Sequence, residues 1–174
     1  MYWRRTLNGA LAGGAAAGLW AAIQPLDKRV LDYGYDDVEL LGKLVTRGPA
    51  WPVAGAALHV ANGALFGAVY AQVRPFLPGP PAARGALCGL VEHVGLWPLG
   101  RLTDRYHPAR RELAPLTGSR AAFAQATWRH LVFGLVLGEL ERRLNDRADA
   151  EPPEVPVSSN GHGDLEAALA VAAT

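Results

Sequence analysis

Among its 174 residues the chain has one cysteine, Cys88. That excludes an intramolecular disulfide and any cysteine-cluster zinc site. Set among alanine, glycine and leucine, Cys88 reads as a small packing residue. Lysine is almost as scarce: Lys28 and Lys43 are the only ones, and arginine supplies the rest of the 17 basic residues. Net charge is +1 and no basic stripe is interleaved with aromatics, so the electrostatic footprint of a nucleic-acid binder is missing. Aromatics make up 8% of the chain, while half is hydrophobic and rich in alanine, the usage of a GC-rich bacterial genome. There is no Ser/His/Asp order, nucleophile elbow or phosphate loop, and no catalytic residue is assigned.

Mean hydropathy is only +0.07, so the average does not identify a membrane protein. The distribution of charge says more. Charges leave long windows about Leu7–Leu26, Pro52–Val73, Ala82–Leu102 and Ser119–Arg143, each near the roughly 20 residues that span a bilayer core. A water-soluble bundle needs a charged face along every helix, and the first two windows have none. The fold expected is therefore all-α, a four-helix transmembrane bundle over residues 1–145. The N-terminal "MYWRRTLNGALAGGAAAGLWAAI" has the basic-then-apolar look of a signal peptide but no small-x-small cleavage site, and is read as a retained first span. Residues 146–174, acidic and rich in Pro, Ser and Gly, read as a disordered tail.

Glycines recur at four-residue spacing inside the windows: Gly9/Gly13, Gly14/Gly18, Gly63/Gly67, Gly85/Gly89 and Gly134/Gly138. That spacing lets membrane helices approach closely. The same segments disclose an internal repeat. "GALAGG…GLW" at Gly9–Trp20 resembles "GALCGL…GLW" at Gly85–Trp97, and "HVANGALFG" at His59–Gly67 resembles "HLVFGLVLG" at His130–Gly138. Units of about 7–73 and 82–143 each hold two spans, so the copies are expected to run in parallel. Where the second copy has Glu92-His93, the first has only Ala15 to Ala17.

Consecutive spans run antiparallel, which brings His59, Glu92, His93, Arg129 and His130 to one depth, with Gln125 and Asn62 within a turn. Intramembrane ionisable groups face the bundle interior or a wet cavity. Glu92 and Arg129 are the expected ion pair. Four readings of this layer stay open: a structural clasp, a proton or ion pathway, a metal or haem site built from three histidines and a glutamate, and an acid/base site. No motif names a cofactor. Asp36 or Asp37 is expected to cap a short amphipathic helix through Val45, and Tyr33, Tyr35, Trp51, Trp97 and Tyr106 to form an aromatic belt. Arginines are nearly balanced between the two sides; the short basic N-terminus tilts the reading to both termini cytoplasmic.

Two helices carry His59/Gly63/Gly67/Tyr70 and His130/Gly134/Gly138, a His-x3-Gly-x3-Gly pattern. In this the chain resembles the YagU-like uncharacterised bacterial inner-membrane proteins. The resemblance implies a multi-pass inner-membrane location and a link to acid tolerance; it supplies no counterpart of Glu92-His93. The functions expected are handling of protons, ions or a small solute in stress or envelope homeostasis. The alternatives are a structural or assembly protein packing through its Gly faces, and a metal- or haem-binding membrane protein. The lipid bilayer is the expected partner, with a second copy of the chain as another.

Overall fold

The computed structural model describes residues 2–149, and every regular element among them is helical. Four long helices, α1 (Tyr2–Val30), α3 (Trp51–Val73), α4 (Pro81–Leu96) and α6 (Arg120–Asp149), are accompanied by the short α2 (Asp37–Val45) and α5 (Gly100–Tyr106). α1 packs on α3, α4 packs on α6, and α1 against α6 joins the two pairs, while α2 lies on α3. Trp3–Val30 and Trp51–Phe76 are long and apolar enough to cross a membrane.

These helices turn their small and polar residues inward. On α1 the buried face is Gly9, Ala12, Gly13, Ala16, Ala17, Trp20, Gln24 and Asp27, a run at helical spacing. Its leucines, Leu7, Leu11, Leu19 and Leu26, are exposed. α3 repeats the pattern: Gly55, His59, Gly63, Gly67, Tyr70 and Ala71 are buried, while Val53, Leu65 and Val69 are exposed.

Glycine sets the helix spacing. A Cβ on Gly13 would stand 2.9 Å from Gly67 Cα and would collide with the Gly63 carbonyl, and one on Gly67 would stand 2.9 Å from Gly13 Cα. In the second pair a Cβ on Gly85 would lie 2.8 Å from Gly138 N, on Gly134 2.6 Å from Ala86 Cα, and on Gly89 2.7 Å from the His130 carbonyl. Gly63 faces Ala17 and Gly13, and Gly138 faces Pro81. The Gly14/Gly18 pair behaves differently: Gly14 makes only ordinary contacts with Val60 and Ala64, and nothing lies within 4 Å of a Cβ on Gly18. A further close approach, Gly42 of α2 against Gly55 of α3, has no four-residue partner in either helix to announce it.

Three expected boundaries move. The third apolar window is not one helix to Leu102, because α4 ends at Leu96 and a 3-10 turn, Trp97–Leu99, leads into α5. Pro98 supplies no N–H and disfavours helical geometry at the residue before it. α1 runs on to Val30 through Pro25, and α6 continues to Asp149. The tail therefore begins helical at residues 146–149, and residues 150–174 of it lie outside the described residues. The short helix starts where expected, with the Asp36 side chain accepting from Glu39 N.

The loop after α5 is fastened by Asp104, whose carboxylate accepts from the backbone N–H groups of Leu116 and Thr117. Burial alone would raise this carboxyl, but hydrogen bonds from Thr117 and Leu116 outweigh it and hold it below the usual carboxylate range. A carboxyl lowered by folding stabilises the fold above its unfolded pKa of about 4, and that contribution is lost as pH falls through the lower folded value. Asp104→Asn is expected to cost about 1–2 kcal/mol at neutral pH. In thermal unfolding the gap between wild type and variant should close as the pH is lowered; a gap that stays constant with pH would contradict this role.

Candidate functional site

A cavity of about 260 Å³ lies between the helix pairs beneath α2 and α5. His59 from α3, Glu92 and His93 from α4, and His130 from α6 all line it, together with Trp20, Tyr35, Asp37 and Asn62. Their convergence follows from the glycines below them. His93 is four residues beyond Gly89, and His130 is four before Gly134, so the close α4–α6 contact brings the imidazoles into one layer. The His93 and His130 rings are 4.8 Å apart, and Trp20 sets its edge against His130 at 4.8 Å and His59 at 5.0 Å.

Hydrogen bonding fixes the ring protons of two histidines. His130 Nδ1 lies 2.7 Å from the Ala126 carbonyl, which only accepts, so Nδ1 carries a hydrogen. His130 Nε2 faces Glu92 Oε2 at 2.9 Å. One proton lies in that contact, either on an imidazolium beside a carboxylate or on a carboxylic acid beside a neutral ring. Thr127 gives its hydroxyl hydrogen to the Phe123 carbonyl at 2.8 Å. The hydroxyl oxygen must then accept from His93 Nε2, 2.9 Å away, and a neutral His93 keeps a bare Nδ1. His59 Nε2 and Trp20 Nε1 are buried with no hydrogen-bond partner among the described residues.

Arg129 is not the partner of Glu92. One residue along a helix is a rotation of about 100°, so Arg129 turns from α4 toward α1 and α2 while His130 turns toward Glu92. The guanidinium is fully buried and binds Asp27 through Nε and Nη2, Asp37 through Nη1 at 2.8 Å, and the Tyr35 carbonyl at 3.0 Å. Gln125 adds a 2.8 Å bond to Asp27. Gln24 accepts from Asp37 N, and the Tyr35 hydroxyl donates to Asp37. Burial, reinforced by the Asp37 carboxylate, pushes the Tyr35 phenol well above its ordinary pKa, so it remains a donor. This clasp ties the α1–α2 connection to α6 and forms one wall of the cavity through Asp37 and Tyr35.

The sequence pattern missed Asp27, Asp37 and Trp20 as members of the layer. Asp27 had a signal: it is an acidic residue at the end of the first apolar window, followed by Lys28, and a buried arginine needs a carboxylate. α2 is held down by further contacts. His107 Nε2 donates to the Leu40 carbonyl at 3.0 Å while its Nδ1 accepts from Ala109 N, and Lys43 and Arg47 both bind Glu112.

At the end holding the N-terminus a second buried polar group gathers: Glu141 with Arg74 and Asn145, and Asn145 with Asn8. Ala12, Ala16, Tyr70, Phe133 and Leu137 fill the space between the two layers. Phe66 and Phe133, 5.4 Å apart, floor the cavity. Twelve helical residues separate Arg129 from Glu141 on α6, about 18 Å at 1.5 Å per residue.

Among the described residues no group of three His, Cys, Asp or Glu side chains is placed to hold a metal ion. Within the layer His93 faces Thr127, and His130 faces the Ala126 carbonyl and Glu92. No protein-family model, curated protein or solved structure matches the chain.

Proposed function

We propose that the chain is a multi-pass protein of the bacterial inner membrane, a four-span bundle of two parallel helix-pair repeats, whose cavity handles protons or a small solute. The inside-out pattern of α1 and α3 supports membrane insertion. On these two helices leucines and valines face outward while Gln24, Asp27 and His59 face inward, as do Gln125, Arg129 and Glu141 of α6, the reverse of a water-soluble helix and the arrangement bilayers impose on ionisable groups. The repeat reading draws on the matched glycine crossings, Gly9 and Gly13 against Gly67 and Gly63, and Gly85 against Gly134 and Gly138. Both termini are read as cytoplasmic on the strength of the basic N-terminus. A role in stress or envelope homeostasis accords with the YagU-like resemblance.

One observation carries the functional reading. Glu92 Oε2 and His130 Nε2 stand 2.9 Å apart, a contact that holds one proton, in the wall of a cavity whose other polar lining includes His59, His93, Asn62, Tyr35, Asp37 and Thr103. A carboxylate–imidazole pair of this kind takes up and gives back a proton without leaving a bare charge in an apolar setting. Purified protein in liposomes loaded with a pH-sensitive dye is expected to pass protons, and Glu92→Gln to lower that flux at least tenfold. Flux no greater than that of empty liposomes would count against the reading.

A structural or assembly protein is the second reading. It is favoured by the close backbone contacts at the glycine crossings and by Gly18, where nothing lies within 4 Å of an added Cβ and a second copy could approach. A Glu92→Gln variant that loses stability while flux is unchanged would favour it.

A further inference from the structure

Resting on that reading, the lining of the cavity narrows what can enter it. Among the described residues no lysine or arginine lines the cavity, and its acidic groups are Asp37 and Glu92. Asp37 is already engaged by Arg129 and the Tyr35 hydroxyl. Glu92 is engaged through Oε2 alone, and its Oε1 takes no hydrogen bond among the described residues. The Trp20 indole N–H and His59 Nε2 are enclosed in the wall rather than open to the cavity, on residues 6% and 7% exposed. Neutral His93 adds a bare Nδ1. Trp97, Phe66 and Phe133 add aromatic surface, and Leu40, Leu41, Leu96, Leu99 and Leu116 aliphatic surface, with Thr103 among them. A volume of 260 Å³ holds about eight water-sized groups, at roughly 30 Å³ each.

This inventory sorts ligand classes. An anion meets no counter-charge, and an apolar molecule leaves Glu92 Oε1 unpaired, at a desolvation cost. A small organic ammonium ion meets a carboxylate oxygen and aromatic faces, the surroundings that hold such cations.

Glu92 also has a proton to give up. We propose that the cavity binds a small organic ammonium ion, and that this ion replaces the proton Glu92 and His130 share. One positive charge enters and one proton leaves. His130 remains neutral with its hydrogen on Nδ1, toward the Ala126 carbonyl, and the Glu92 carboxylate pairs with the ammonium. The surrounding charged and titratable groups are Tyr35 and Asp37 beside α2, His59 of α3, His93 of α4, and Arg129 of α6 with its partner Asp27 of α1. Asp37 and Asp27 are committed to Arg129, which leaves the shared proton as the one the cation displaces.

Calorimetry on the full-length protein, with choline chloride as probe, tests this. The protein is held in nanodiscs of a lipid lacking ammonium headgroups. Titrations at neutral pH in anionic buffers of different ionisation enthalpy count the protons released. About one proton per choline is expected, with Kd weakening about tenfold for each pH unit lowered while the pair holds its proton. The uncharged isostere 3,3-dimethyl-1-butanol should bind at least tenfold more weakly, and Glu92→Gln should lose choline binding to a similar extent. The wild-type proton count needs no variant, so misfolding of Glu92→Gln does not blunt the test.

Phosphocholine binding as tightly as choline would keep the ammonium site and make a lipid headgroup its source. No heat with choline, choline binding without proton release, or equal binding of the isostere would overturn the inference. Glu92-dependent proton flux persisting without choline binding would remove this inference alone. Choline exchange without proton flux would remove the flux reading alone.

Discussion

Arg129→Gln is expected to destabilise the protein by about 3–5 kcal/mol, the cost of removing one partner from a buried ion cluster. Its side chain is fully buried, and two carboxylates, Asp27 and Asp37, depend on it. Without it both would face a low-dielectric interior, and the Tyr35 carbonyl would lose its donor. Arg129→Lys should recover little, because an ammonium cannot reproduce the paired Nε and Nη2 bonds to Asp27 while also reaching Asp37. The companion test removes the stranded charge. Asp27→Asn and Asp37→Asn in the Arg129→Gln background should regain more than half of the loss, measured by thermal unfolding of the detergent-purified protein. A triple variant less stable than Arg129→Gln alone would mean that the carboxylates have other partners.

Gly85→Leu should be comparably damaging, at about 3 kcal/mol or more, the upper end for overpacking. A Cβ there would strike the Gly134 carbonyl and lie 2.8 Å from Gly138 N, and backbone cannot swing aside as a flexible side chain can. α4 and α6 would have to separate, carrying Glu92 away from His130. Proton flux and stability should therefore fall together. Gly18→Leu is the matched control, since nothing lies within 4 Å of its Cβ. It should leave the monomer as stable or slightly more so, because glycine is the weaker helix former by about 1 kcal/mol relative to alanine. Equal damage at both positions would break the link between glycine and helix spacing.

Much of this arrangement is legible along the chain because it depends on period. Four-residue spacing places Gly85, Gly89 and His93 on one helix face, and His130, Gly134 and Gly138 on another. Any helix with that period must present those faces, so close approach and a histidine layer follow. The short helix from Asp37 is legible for a similar reason: its Asp36 cap works through hydrogen bonds three residues away. Local chemistry also decides the break at Trp97–Leu99, where Pro98 was present in the sequence but the apolar window obscured it.

The sequence by itself determined an all-helical chain with four long apolar helical windows, and the helix faces on which Gly85, Gly89 and His93, and His130, Gly134 and Gly138, align. Which partner each polar group takes was decided only by the tertiary structure. Glu92 and Arg129 share a depth, and depth alone pairs them. Adjacent residues on a helix nevertheless point about 100° apart, so the turn that aims His130 at Glu92 aims Arg129 at α1 and α2. Its carboxylates, Asp27 and Asp37, lie on opposite sides of a loop whose path no helical period prescribes, and helix packing had to bring them around the guanidinium.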